Sequence, residues 1–206
     1  MAKHAPGKGS GAHEGRAPGP ALGLLELSSI ARGVVVADAA LKRAPAVLLS
    51  SRTLSGGKHL VILEGDVASV QEAMAAGREV AGDKLIDRCE LAMADDRVWP
   101  MLAAGGILVS EDWAGDDEAE AAVIVEVSTV CAAIAAADAA AKAADIVIRD
   151  VRLAVDLAGK AVFTFTAALP AAQAAAEAAA AAAGDRLVGL ELIAQPAPEL
   201  RGALFR

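Results

Sequence analysis

The sequence predicts an α+β chain in which one small domain occurs twice, and three observations carry this. The phrase Glu26-Leu27-Ser28-Ser29 recurs as Glu126-Val127-Ser128-Thr129, and Ala37-Asp38-Ala39-Ala40-Leu41-Lys42 recurs as Ala137-Asp138-Ala139-Ala140-Ala141-Lys142. Residues 26–45 and 126–145 are identical at 8 of 20 positions, well beyond chance even in an alanine-rich chain. The echo resumes at an offset of 102, with Gly57-Lys58 returning as Gly159-Lys160 and Gly82-Asp83-Lys84-Leu85 as Gly184-Asp185-Arg186-Leu187. A period near one hundred residues is too long for a solenoid repeat and is the size of a small domain. The 206 residues hold two such units. Each alone buries a modest share of its surface, so the copies are expected to pack on each other and on further chains.

Residues 1–20 are rich in Gly and Pro without periodicity and read as a disordered tail. Ala21 to Ser29 reads as a strand with Glu26 among leucines. Ile30 to Arg43 reads as a helix capped by Ser28 or Ser29, with Ile30, Val34, Ala37 and Leu41 on one face. Pro45 stops it. Val47 to Thr53 and Lys58 to Glu64 are strands joined at Leu54-Ser55-Gly56-Gly57, where paired glycines supply the positive φ of a hairpin tip. Asp66 caps a helix over 67–81, a strand follows from Leu85 to Leu91, and a short helix is expected around 95–102.

The second copy repeats this order. Strands are expected at 122–127, 146–155, 162–166 and 187–194, and helices at 130–144 and 169–183. Asp156-Leu157-Ala158-Gly159 forms its hairpin turn, and Gly184 ends its second helix. This divides the chain into a first domain at 21–102, a linker at 103–121 and a second domain at 122–206. The linker carries an acidic run and a short apolar piece, Ile107 to Val109, suited to docking. Each copy is β-α-β-β-α-β with a short trailing helix, the ferredoxin-like split βαβ order. That fold hosts many functions and settles none.

Composition narrows the field. A net charge of −8 argues against nucleic acid. Aromatics are 2 % of the residues and tyrosine is absent, which is poor material for a deep ligand pocket or for base stacking. No secretory signal and no membrane span are visible, because the longest apolar stretch is nearly all alanine and is broken by Pro170, Gln173 and Glu177. A cytoplasmic protein that does not enter membranes is the expectation. Cys89 and Cys131 have no metal-ligand spacing and read as small buried hydrophobes. His4, His13 and His59 form no cluster with carboxylates, so no metal site is expected. No Gly-x-x-x-x-Gly-Lys-Ser/Thr loop and no Gly-x-Ser-x-Gly elbow occurs, so no catalytic residue is assigned and an enzyme is not expected. The repeated Glu26 and Glu126 read as structural or interface groups in duplicated strands.

Three phrases together go beyond a generic fold. They are Leu22-Gly23-Leu24-Leu25-Glu26 leading to Ala37-Asp38-Ala39-Ala40-Leu41-Lys42-Arg43-Ala44, the hairpin Ser55-Gly56-Gly57-Lys58, and Glu64-Gly65-Asp66-Val67-Ala68-Ser69-Val70 opening a helix. The chain resembles the bacterial microcompartment (BMC) shell domain, strongly over 21–102 and more weakly over 122–204, where the copy has drifted toward alanine. The doubled copy resembles the tandem-domain subclass, in which three chains form a pseudohexameric homotrimer.

The resemblance implies a central pore lined by the hairpin between the second and third strands. Here that means Ser55, Gly56 and Gly57 in copy one and Leu157, Ala158 and Gly159 in copy two. Lys58 and Lys160 stand behind the tips, and Asp156 adds a carboxylate near the opening. The resemblance also places Lys42 and Lys142 at the tile edge, where neighbouring tiles meet; as plain helix-end lysines they would suit the negative end of the dipole. Relatives with an iron–sulfur cluster use cysteine at the axis. Neither loop here has one, so no cofactor is expected, and the short loops favour a single-layer tile.

Two functions therefore compete. One is a structural shell tile that assembles with hexameric and pentameric shell proteins and passes small polar metabolites through its pore, with flux set by diameter and lining dipoles. The alternative is a ferredoxin-like regulatory protein that binds a small ligand between its two halves.

Overall fold

The computed structural model describes residues 19–103, 105–109 and 119–201, so the expected tail at 1–20 and the linker's acidic run fall almost wholly outside the described residues. The first copy runs β1 (Ala21–Leu27), α1 (Ile30–Arg43), β2 (Val47–Leu54), β3 (Lys58–Gly65), α2 (Val67–Ala81) and β4 (Leu85–Leu91), then a 3-10 turn and α3 (Trp99–Ala103). A short β5 (Ile107–Leu108) precedes the second copy. That copy is β6 (Ala121–Val127), α4 (Val130–Ala143), β7 (Val147–Leu153), β8 (Ala161–Ala167), α5 (Leu169–Ala183), β9 (Leu187–Ala194) and α6 (Pro198–Arg201). The sheets have the orders β2-β3-β1-β4 and β5-β7-β8-β6-β9. All pairings are antiparallel. Two ferredoxin-like units in tandem, unpermuted, are what the repeat predicts.

Local chemistry fixes the ends. Ser29 accepts from Arg32 N at 3.3 Å and Thr129 from Ala132 N at 3.2 Å, so both copies cap their first helix with a hydroxyl. Asp66 caps α2 through Ser69 N at 2.9 Å. Its counterpart before α5 is Ala168, which has no capping side chain. Glu120 supplies the missing acceptor from outside the helix, taking Leu169 N at 3.0 Å. The apolar piece of the linker does dock. As β5 it pairs with Val151 and Arg152, adding an edge strand to the second sheet.

Alternation along β1 divides the core. Ala21, Leu25 and Leu27 face α1 and α2 with Val61, Leu63, Val36, Val70 and Met74. Leu22 and Leu24 belong with Leu60, Ile62, Cys89, Val98 and Met101 to a cluster continuous with the core of copy two. In copy two, helical positions equivalent to Val36, Val70 and Met74 are Ala136, Ala172 and Ala176. The lost volume returns on the strand, where Phe163 and Phe165 stand in place of Val61 and Leu63 with ring centroids 6.2 Å apart. The alanine drift on the helices is therefore matched by larger, fully buried side chains on the facing strand. Copy one has its own exchange. A Cβ at Gly33 would lie 2.2 Å from the His59 ring, whereas copy two pairs Ala133 with Ala161.

Candidate functional site

The two β-hairpins singled out from the sequence meet at the junction of the copies. Between the equivalent strand pairs Thr53–His59 and Leu153–Ala161 lie five residues in copy one, where Leu54 and Lys58 still pair, and seven in copy two. This two-residue insertion is where the repeat offset changes from 100 to 102. Gly56 and Gly57 take φ of 79° and 75°, the conformation for which glycine is suited. The longer loop reaches the same region through Ala154, Asp156 and Ala158, all at φ between 51° and 57°, and Gly159 at 88°. Three non-glycine residues there store backbone strain. Ala154 also ends β7 earlier than the expected 155.

The tips interlock through polar contacts. Ser55 N and Ser55 Oγ both donate to Ala154 O, at 3.0 and 2.7 Å, and Ser55 Oγ accepts from Gly159 N at 2.9 Å. A Cβ at Gly56 would lie 3.2 Å from Ala158 O, a close backbone approach. Ser55, Gly56, Ala158 and Gly159 are thus brought together. Gly57 is exposed and open on its side-chain face, and Leu157 is half-buried.

Behind the tips lies a buried ion pair. Lys58 Nζ donates to Glu26 Oε1 at 2.8 Å, to Gly159 O at 3.1 Å and to Ser128 O at 3.2 Å. Glu26 Oε2 accepts from Val130 N at 2.7 Å, so a copy-one carboxylate satisfies the first amide of α4 and faces the positive end of its dipole. Burial pushes the Glu26 carboxyl above its ordinary value, against the lowering effect of Lys58 and the Val130 and Cys131 amides. The matching pair in copy two, Lys160 and Glu126, is equally short at 2.7 Å but half-exposed.

The seam continues along α4. Thr129 Oγ1 donates to Asp87, and Arg186 donates to Ile86 O at 2.9 Å with Asp87 3.8 Å away. At the far end Arg97 reaches the carbonyls of Ala144, at 3.2 Å, and Ala141, covering the free carbonyls of the helix C-terminus. Asp95 holds Arg97 at 2.8 Å. That contact keeps the Asp95 carboxyl below its ordinary range, and its own N–H donates to Asp138 Oδ1 at 2.8 Å.

The two lysines assigned to an edge sit on equivalent turns in unequal surroundings. Lys142 binds Asp138 at 2.6 Å and also Met93 O of copy one. Lys42 binds Asp38 at 2.7 Å, with its side chain 75 % exposed. Asp87, Asp95, Arg97, Asp138 and Arg186 were not marked as interface residues by the sequence. One signal was available: Asp87 has Gly189 as its counterpart, a charge present in one copy alone.

The remaining reactive groups are quiet. Burial raises the Cys89 thiol to about 12 and Cys131 well above its ordinary value, which disfavours the thiolate at both. His59 Nε2 lies 2.8 Å from Ser51 Oγ, and desolvation lowers its pKa. Among the described residues no three His, Cys, Asp or Glu side chains could share a metal ion. None of the described helices is long and apolar enough to cross a membrane. A cleft of about 270 Å³ opens between the copies, lined by Asp87, Arg88, Asp185, Arg186 and a floor of alanines with Cys131. Its rim is charged and no aromatic side chain lines it, unlike typical small-molecule sites.

Known proteins fit this architecture. The family model described as the BMC domain matches residues 21–93 and again 121–196. The bacterial microcompartment shell protein PduT of Citrobacter freundii is 40% identical over 140 residues, covering 68% of this chain and 72% of that protein. The carboxysome shell protein CsoS1C of Hydrogenovibrio crunogenus is 32% identical over 90 residues, covering 42% of this chain and 88% of that protein. Among solved structures, a microcompartment protein from Desulfitobacterium hafniense DCB matches with a TM-score of 0.70 at 31% identity, covering 87% of this chain and 97% of that one.

Proposed function

The chain belongs to the BMC-domain family of microcompartment shell proteins, and from that premise we propose that it is a homotrimeric, pseudohexameric tile with a central pore. It is a structural protein of a microcompartment shell inside the cell. The observation that carries the finer reading is the interlock of the two hairpins, which sets equivalent loops of two BMC domains side by side. Three chains would surround an axis with six loops, alternating Ser55-Gly56-Gly57 with Leu157-Ala158-Gly159. Exposed backbone at Gly56 and Gly57 offers amide dipoles to small polar metabolites, and transport is passive, set by aperture and lining dipoles. Lys42 and Lys142 stand at the tile edge toward hexameric and pentameric shell proteins in this reading, and no residue is assigned a catalytic role. The ligand-binding alternative draws no support from the relatives, which are shell proteins.

Native mass spectrometry followed by negative-stain electron microscopy tests the tile. The expected result is three times the chain mass with hexagonal particles or sheets. A chain that runs at its own mass, and stays dispersed when concentrated with shell proteins, would overturn it.

A further inference from the structure

The two hairpins that meet at the junction differ in charge as well as in length. The turn of copy one, from Leu54 to Lys58, contains no carboxylate. The longer turn of copy two contains one, Asp156, within the stretch where the two extra residues enter. Exposure alternates there: Val155 and Leu157 are half-buried, whereas Asp156 and Ala158 are exposed. Asp156 thus stands in solvent two residues from Ala158, whose carbonyl abuts Gly56 of the other tip. Among the described residues its side chain makes no hydrogen bond and no ion pair. It therefore caps nothing and braces nothing in the turn. Its positive φ of 57° does not call for a carboxylate either, because Ala154 and Ala158 take the same conformation at 56° and 51°. The neighbouring cations are engaged. Lys58 is bound by Glu26 at 2.8 Å and Lys160 by Glu126 at 2.7 Å. Arg52 is set back in β2, donates to Leu153 O at 3.5 Å and is covered by Gly106, where a Cβ would lie 2.6 Å from its guanidinium. Arg152 also has a partner, and desolvation favours the neutral form of the buried His59.

We propose that Asp156 sets the charge preference of the opening: small cations pass, and small carboxylates and phosphates are held back. This rests on the trimer and pore reading above and names the class of solute that the pore admits. Around the axis, one Asp156 from each chain alternates with an uncharged Ser55-Gly56-Gly57 tip. A full charge at the exposed tip outweighs the partial charges of the glycine amides, and it outweighs the cations behind the tips because each of those already faces an acceptor. Charges of one sign gathered at a constriction concentrate counter-ions there about tenfold or more and deplete ions of their own sign. The chain's net charge of −8 acts in the same direction. The charge is confined to the copy-two loops, so the ring is threefold and leaves the copy-one tips free of charge. Because the carboxylates are exposed, salt screens them, and the preference is strongest where the Debye length exceeds the width of the opening.

The test compares the full-length wild type with Asp156→Asn, which keeps shape and removes charge, and Asp156→Lys, which reverses it. The side chain is exposed and unbonded, so both variants are expected to fold; native mass and far-ultraviolet circular dichroism establish that they do. Each protein is incorporated into a planar lipid bilayer, and the reversal potential of its single-channel steps under a KCl gradient gives the ratio of K⁺ to Cl⁻ permeability. The wild type is expected to favour K⁺ about tenfold at low salt. The ratio is expected to fall to near one in Asp156→Asn, to invert in Asp156→Lys, and to shrink in the wild type as salt is raised. A conducting trimer whose ratio is the same in all three proteins, or a wild type that favours Cl⁻, overturns the assignment to Asp156 and leaves the pore standing. A trimer that passes neither ion overturns the pore and its charge preference together, and a wild type that runs at its own mass removes the trimer with them.

Discussion

Copy one and copy two fill the same fold with their bulk on opposite layers. Copy one carries it on the helices, in Val36, Val70 and Met74, above strand residues Val61 and Leu63. Copy two has alanine at those helical positions and raises phenylalanines from β8 to meet them. Either layer can supply the side-chain volume that the other lacks. A second contrast lies at the ion pairs. Lys58–Glu26 is sealed by the other half of the chain, while Lys160–Glu126 is half-open. The same two side chains are thus a core element in one copy and a surface element in the other.

The strongest way to break the first contrast is Phe165→Ala. Emptying the β8 layer beneath alanine helices leaves a cavity that no neighbour can fill, and about 4 kcal/mol of stability is expected to go. Leu63→Ala, under the longer side chains of copy one, is expected to cost about 3 kcal/mol. Denaturant titration checks both, and a Phe165→Ala loss below that of Leu63→Ala would refute the layer argument.

The second contrast is sharpened by Lys58→Ala and Lys160→Ala. Removing Lys58 leaves Glu26 buried without its cation, a loss of about 3 kcal/mol that is independent of protein concentration. The loss from Lys160→Ala is expected only in a step that depends on concentration, because that pair is half-exposed in the single chain and would be covered only in the proposed trimer. Unfolding curves at several concentrations separate the two, and matching behaviour would erase the distinction.

The smallest effect concerns pH and the clamp at the far end of α4. Asp95 is held below its ordinary value of 3.8 by its hydrogen bonds to Arg97. A lowered carboxyl contributes its stability above the unfolded value and loses it as pH falls through the folded one. Glu26, raised by burial, has the opposite sign: its contribution is full below 4.5 and is lost as pH rises through the raised value. Thermal midpoints measured below pH 4 are therefore expected to fall less steeply in Asp95→Asn than in the wild type. Parallel acid limbs would remove Asp95 from the clamp.

Much of this was legible in the sequence because it is local. The element order, the hairpins, the Ser29 and Asp66 caps and the docking of Ile107 and Leu108 follow from periodicity, glycine placement and capping chemistry. The two hairpins were identified as a site, and their adjacency is a finding of the structure. The seam was illegible for a physical reason. Arg97 and Ala141, Glu26 and Val130, and Ile86 and Arg186 are separated by 44, 104 and 100 residues, and no local pattern marks a bond across such distances. Repetition of Glu26 as Glu126 indicated a shared role but not that one would be sealed and the other open. That depends on which half lies in front of it.

The docked linker gives the two halves an intramolecular meeting, at an effective concentration that a short tether sets in the millimolar range. A joint formed under those conditions tolerates thin side chains, and α4 presents Ala135 and Ala141 there. Its sister helix presents Val35 and Leu41 at the same places. That surface is exposed on the single chain, so whatever covers it must arrive by diffusion, and its extra methyl groups would supply affinity that tethering gives the other joint without them.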